Sequence, residues 1–159
     1  MAYKKYLTNE QAIQKLKQYC GYQERSHQEV VQKLWELGVS KNEHDAIVSA
    51  LIEEDYLNEE RFARLFAGGK FRMLDWGRKK IFYGLKEKGV SDYNIKNALK
   101  SIDEEAYLKT LQQEAQKKYN LLKSEQHLVR KKKTIDYLAQ KGFEINLITI
   151  ALKELTGQK

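Results

Sequence analysis

The chain has 159 residues, 42% hydrophobic and 32% charged, with a formal net charge of +7. That length fits one domain or a short array of small units, the apolar content excludes wholesale disorder, and no apolar run approaches the roughly 18 residues that span a bilayer. The single cysteine, Cys20, excludes an intramolecular disulfide framework and a cysteine-based zinc cluster. The start, Met1 to Gln11, lacks the apolar stretch of an export signal, so a cytoplasmic protein without membrane contact is expected. There is no proline and only 9 glycines. Lys, Glu, Gln, Leu and Ala are good helix formers, so an all-α fold with short connections is predicted.

The first helix is predicted from Thr8 to Tyr19, opened by a capping box of Thr8 and Gln11. Ser26 with Glu29, and Ser40 with Glu43, open the next two helices in the same way. A longer helix is predicted from Asn58 to about Met73, with Phe62, Leu65 and Phe66 on one face. Gly68 and Gly69 within it each cost about 1 kcal/mol relative to Ala. The following helices begin near Gly77 and at Ser91. A last long helix runs from Asp103 to about Leu122, and Ser124 is a plausible cap for the helix after it.

One pattern recurs along this series. An apolar residue, Leu and Gly stand together as Val31, Leu34, Gly38, then as Phe82, Leu85, Gly89, then as Ile135, Leu138, Gly142. After each Gly comes an Ile-x-x-Ala-Leu run, ending at Leu51, Leu99 and Leu152. The Gly stops one helix in a left-handed conformation and a second helix follows. With the longer helix before each pair, the chain reads as three three-helix, helix-turn-helix-like repeats: residues 1–57, 58–102 and 103–159. Small repeats cannot each bury a large core, so neighbours should pack together in an elongated, curved array. A monomer is expected, since the repeats supply their own packing.

The charge is uneven. The first repeat carries 7 basic and 9 acidic residues, the second 11 and 5, and the third 11 and 8. A positive middle and end favour a polyanionic partner. Catalysis finds little support. His27, His44 and His127 are too far apart for a local metal motif, and no phosphate-loop or dinucleotide motif occurs. Cys20 reads as a structural residue. No cofactor or metal is expected.

The basic clusters are the candidate surface. Lys70 and Arg72 precede Trp76, and Arg78, Lys79 and Lys80 would fill the first turn of the helix that starts near Gly77. Cations there oppose the helix dipole, and an anion bound at that end, phosphate or a partner carboxylate, would remove the conflict. Arg130, Lys131, Lys132 and Lys133 form a second cluster, which Lys117 and Lys118 could extend. Most aromatic residues sit at core spacings. Trp76, beside the basic cluster, is the best candidate for stacking.

These residues resemble the RecX family, regulators of the RecA recombinase. The segment Asp55-Tyr56-Leu57-Asn58-Glu59-Glu60-Arg61-Phe62-Ala63 is similar to the family's Gly-Tyr-Leu-acidic-acidic-x-Arg-Phe-Ala stretch. Gly77 to Ile81, running on through Leu85 to Gly89, is similar to its Gly-x-x-Arg-Ile … Leu-x-x-Lys-Gly. Ser26 to Leu34 and Lys141-Gly142-Phe143 match two further segments. Departures are Asp55 for the usual Gly, Lys80 for Arg, and Gln23 where the family has Arg. Lys80 keeps the charge and loses the bidentate fork. The resemblance implies a non-enzymatic protein of tandem three-helix repeats. It would bind in the groove of RecA–DNA filaments, restrain their growth and lower ATPase and strand exchange. DNA would be touched directly or through the filament, without sequence preference.

Two other readings stay open. A helix-turn-helix protein would bind duplex DNA through Ser91 to Ile102, with Asn94, Lys96, Asn97 and Lys100 toward the bases. A helical adaptor would bind only protein.

Overall fold

The computed structural model describes residues 7–157. The outermost parts of the first and third expected repeats, residues 1–6 and 158–159, lie outside the described residues. The rest forms nine α-helices with no strand among the described residues: α1 Asn9–Tyr22, α2 His27–Glu36, α3 Lys41–Glu53, α4 Glu59–Leu74, α5 Arg78–Glu87, α6 Asp92–Lys100, α7 Glu104–Leu121, α8 His127–Gln140 and α9 Ile145–Thr156. They pack as three trios, α1–α3, α4–α6 and α7–α9, and in each trio the first helix lies most closely on the third.

Local chemistry explains most of the boundaries. Thr8 and Ser26 form complete capping boxes with Gln11 and Glu29. Asn58, Ser91 and Asp103 cap α4, α6 and α7 through their side chains. Gly38, Gly89 and Gly142 all take the left-handed conformation, with φ of 75°, 76° and 100°. Two expectations fail. Ser40 precedes α3 but makes no side-chain cap: the Glu43 amide donates to the Ser40 carbonyl at 2.9 Å, and the Glu43 carboxylate accepts from Asn9 Nδ2 at 2.6 Å. The cap position of α8 is Gln126 and not Ser124. By the repeat register, Ser26, Gly77 and Arg130 are equivalent, so α8 begins one turn early and places Arg130 in its second turn.

The apolar residues divide into two clusters. Ala12, Leu16, Cys20, Val30, Leu34, Val39, Ile47, Leu51 and Leu57 form the core of the first trio. The second and third trios share one continuous core. Its middle is a run of rings: Tyr107 lies 5.8 Å from Phe71 and 5.4 Å from Phe143, centroid to centroid. Neighbours therefore pack together as expected at one junction, while the first trio keeps a core of its own. Cys20 is buried, and burial raises its thiol pKa, as suits a structural residue.

The first junction is polar. From α4, Arg61 Nε donates to Glu24 at 2.6 Å, while its two terminal nitrogens donate to the Asp55 carboxylate and the Asp55 carbonyl, each at 3.0 Å. Asp55 stands at a φ of 64°. A left-handed residue there accounts for the glycine that the resembling family has at this position.

Candidate functional site

The start of α5 is the centre of the second junction. Gly77 is its cap residue and offers no side-chain bond. Instead the Gly77 amide donates to the Lys141 carbonyl at 2.8 Å, the Lys79 amide to the Gly142 carbonyl at 2.9 Å, and the Arg78 amide to the Tyr107 hydroxyl at 3.0 Å. Two orphan donors of this helix end, the Arg78 and Lys79 amides, are thus satisfied by the third trio. Arg78 lies over the Tyr107 ring, 3.8 Å from its centroid. It pairs with Glu144 at 2.7 Å and also with Glu104. Tyr107 in turn donates to Glu144. Its phenol pKa is driven well above the ordinary value by burial and by that carboxylate.

At Arg78 the anion expected at the start of α5 comes from the chain itself, as the Glu104 and Glu144 carboxylates. Lys79 and Lys80 have no such carboxylate partner among the described residues. Arg78 belongs to a latch between trios. Glu104 and Glu144 lie 26 and 66 residues away, too far for a local pattern to reveal.

Lys79 and Lys80 remain exposed on α5. Lys80 Nζ stands 4.6 Å from the Trp76 ring centroid and Lys70 Nζ 5.1 Å from it. The indole is therefore flanked by two ammonium groups, a geometry that ring quadrupoles favour. The same arrangement recurs across the junction. Lys118 and Lys141 approach the Tyr137 ring at 4.9 and 5.7 Å. Lys141 ties the two together by donating to the Leu74 carbonyl at 3.1 Å. None of Lys70, Arg72, Lys79, Lys80, Lys117, Lys118 and Lys141 makes an ion pair among the described residues. The result is a cationic stripe on two aromatic residues, Lys70 and Lys80 over Trp76 on one side of the junction and Lys118 and Lys141 over Tyr137 on the other. Sequence reading missed Lys141 and Tyr137 as parts of it. Only the docking of Gly142 on α5 brings Lys141 to Leu74 and Gly77, on either side of Trp76 in the chain.

Beneath the stripe lies an acid pair. Asp75, at a φ of 55°, faces the buried Glu114, which accepts from Tyr137 Oη at 2.8 Å. Burial and the neighbouring Glu114 raise the Asp75 pKa. Burial opposes ionisation of Glu114 too, but hydrogen bonds from Asp75 and Tyr137, with Lys141 and Lys117 nearby, outweigh it and hold its pKa low. Burial and Glu114 push Tyr137 up to about 12.

The second basic cluster is less available than its sequence suggests. Arg130 Nε donates to the Tyr119 carbonyl at 2.8 Å, and the guanidinium lies 3.5 Å from the Tyr119 ring centroid. Arg25 makes the same clasp on Tyr19, at 3.0 and 3.7 Å. Lys132 pairs with Asp136 at 2.9 Å and Lys133 with Glu125 at 2.7 Å. Lys131 makes no ion pair among the described residues. Arg72 lies against Gly68, in a cleft with Arg64 and the turn before α7.

The motif residues have structural places. Ser26 is a buried cap, Leu57 and Phe62 are core residues, and Tyr56 is half exposed beside Lys17. Gly89 faces Gln28 of α2 with room to spare, the nearest atom 3.8 Å from an added Cβ. On α6, Asn94 is held by Glu59 at 2.5 Å and Asn97 is half-buried, so Lys96 and Lys100 are the exposed cations there. Lysines suit phosphate contacts better than base readout.

Known proteins share both sequence and fold with this chain. Residues 58–99 match the family model for the second three-helix domain of RecX, and residues 104–152 the model for the third. The regulatory protein RecX of Prosthecochloris aestuarii is 33% identical over 137 residues, covering 86% of this chain and 88% of that protein. The regulatory protein RecX of Lactobacillus johnsonii is 34% identical over 105 residues. There the match covers 66% of this chain and 39% of the relative, and for the Clostridium perfringens relative it covers 64% of that protein. The crystal structure of RecX from Lactobacillus salivarius superposes with a TM-score of 0.86 at 24% identity, covering 93% of this chain and 96% of that one. No helix among the described residues is long and apolar enough to cross a membrane. Shared helical repeats, family models over the second and third trios, and a relative 33% identical over 88% of its length place this chain in the RecX family of regulatory proteins.

Proposed function

We propose that the chain is a non-enzymatic regulator that binds filaments of the RecA recombinase on DNA, in the cytoplasm, and restrains their growth, ATPase and strand exchange. The observation that carries this reading is the stripe built on Trp76 and Tyr137. Lys70, Lys80, Lys118 and Lys141 lie over the two rings. A surface of unpaired lysines attracts a phosphate backbone without reading its sequence. The rings beneath keep the lysines ordered and offer faces on which bases can stack. Arg72, Lys79 and Lys131 extend the field, while Arg78 and Arg130 act through the packing of the repeats.

Because the second and third trios share one core, this stripe is a rigid platform. A rigid platform loses little freedom on binding. The chain binds as a monomer, each copy spanning part of the filament. The test is the DNA-stimulated ATPase of preassembled filaments, titrated with the chain at fixed salt. Inhibition that weakens steeply as salt rises supports the reading. No inhibition at any ratio removes it and favours an adaptor that binds other proteins.

A further inference from the structure

A groove of about 290 Å³ runs along the outer face of α4, lined by Leu65, Phe66, Gly69, Lys70, Met73 and Leu74. Three of its walls are strikingly wet for apolar residues: Leu65 is 43% exposed, Leu74 47% and Met73 84%. Exposed apolar surface of this kind marks an interaction site. Its floor carries a second sign. Gly69 sits in mid-helix, where glycine is costly, and a Cβ placed there would meet nothing within 4 Å. Packing gives no reason for a glycine at this position. At its neighbour Gly68 an added Cβ would lie 2.7 Å from Arg72 Nη1, the movable end of a flexible side chain. Gly69 keeps the groove open, and a local rule broken without structural gain points to function.

The charge around the groove selects the occupant. Lys70 forms one rim, over the Phe66 and Trp76 rings. Leu65 also borders the cleft in which Arg72 stands, so that a cation lies on the other side too. No carboxylate is among the lining residues. We infer that this groove takes an acidic amphipathic segment of the partner protein, its aliphatic side chains seated between Leu65 and Met73 and its carboxylates on Lys70 and Arg72. Apolar anchors at helical spacing and a complementary rim are how a groove recognises such a segment. Nucleic acid would fit poorly, because an aliphatic wall offers no partner to a phosphate. The inference rests on the filament reading above. In that reading the stripe holds the DNA side of the filament and the groove holds the recombinase itself, with Lys70 at the edge that the two surfaces share.

The chain has two methionines, Met1 and Met73. Photo-methionine therefore places a diazirine in the groove with almost no change of shape, and Met73→Leu is the control. The labelled full chain is sedimented with recombinase filaments on DNA, irradiated and digested. The expected result is a Met73-dependent crosslink to a recombinase peptide that carries both aliphatic and acidic residues. A crosslink to the DNA strand, a crosslink only to a peptide without Asp or Glu, or no crosslink while the chain still sediments would each overturn the inference and leave the filament reading standing. Failure to sediment at all would take down both. A second variant, Gly69→Leu, fills the floor at a half-buried helical position where an added Cβ meets open space. It should fold with unchanged helicity and weaken co-sedimentation roughly tenfold; undiminished binding by the folded variant would overturn the inference.

Discussion

Gly77 and Gly142 meet backbone to backbone across the boundary between the second and third repeats. A Cβ built on Gly77 would overlap the Gly142 carbonyl carbon and the Phe143 amide nitrogen, and one built on Gly142 would lie 2.5 Å from the Lys80 nitrogen. Two amide–carbonyl bonds and the Arg78 latch close around this contact. Gly77→Ala should therefore cost about 2–4 kcal/mol, the range of a substitution that forces packed backbone apart. Urea denaturation followed by circular dichroism checks this. A loss within 0.5 kcal/mol, the ordinary range for a surface change, would mean that the junction is looser than described.

The first junction should behave differently. It is held by Arg61 with Glu24 and Asp55, and the first repeat keeps a separate core. Partly exposed ion pairs are screened by salt. Trp35 lies in the first repeat and Trp76 in the second. Single-tryptophan variants, Trp35→Phe and Trp76→Phe, then report the two bodies separately in urea. The expected outcome is that the Trp35 signal is lost first, and earlier still in Arg61→Ala, by about 1–2 kcal/mol. Coincident transitions in both variants would show one cooperative unit.

The acid pair makes a charge prediction. Asp75 is held in the left-handed region beside a buried, ionised Glu114. Its raised pKa means that the fold favours its protonated form, so at neutral pH its charge opposes folding. Asp75→Asn keeps a residue that tolerates the backbone and removes the like charge. It should raise the melting temperature at pH 7. A fall in melting temperature would contradict this account of the pair.

On the alkaline side Tyr137 sets the sign. Its folded pKa, about 12, stands above the ordinary 10.0. A raised pKa contributes stability that is fully present below the unfolded value and is lost as pH rises through the folded one. Stability should therefore decline between about pH 10 and pH 12. Tyr137→Phe, which has no proton to release, should decline less over that window. Parallel curves for the two proteins would show that the Glu114 bond does not distinguish the protonation states.

Much of this fold was legible in the sequence, because the signals that shape it are local. Thr8 with Gln11 and Ser26 with Glu29 are read over three residues, and the stop glycines follow from the apolar repeat. The site was legible only in outline. Lys70, Trp76, Lys79 and Lys80 stand together in the sequence and on the surface. Arg78 stands among them too, yet its partners Glu104 and Glu144 come from the next repeat. No spacing rule links those positions before the repeats dock. Lys141 was visible as the residue before a stop glycine. Its place beside Tyr137 and Leu74 depends on Gly142 packing against α5. Ser40 shows the opposite limit: the capping pattern was present, but the Glu43 amide bonds the Ser40 carbonyl and the Glu43 carboxylate goes to Asn9.

The most direct test of the central claim is charge reversal on the stripe. The variant carries Lys80→Glu and Lys118→Glu, two lysines that lie over Trp76 and Tyr137 and outside the α4 groove. It is titrated against the DNA-stimulated ATPase of preassembled recombinase filaments, beside the unaltered chain. The account predicts that the folded variant needs at least tenfold more protein for half-inhibition, a change of about 1.4 kcal/mol or more. Equal inhibition by a variant with an unchanged melting curve would contradict it and move the working surface elsewhere on the array.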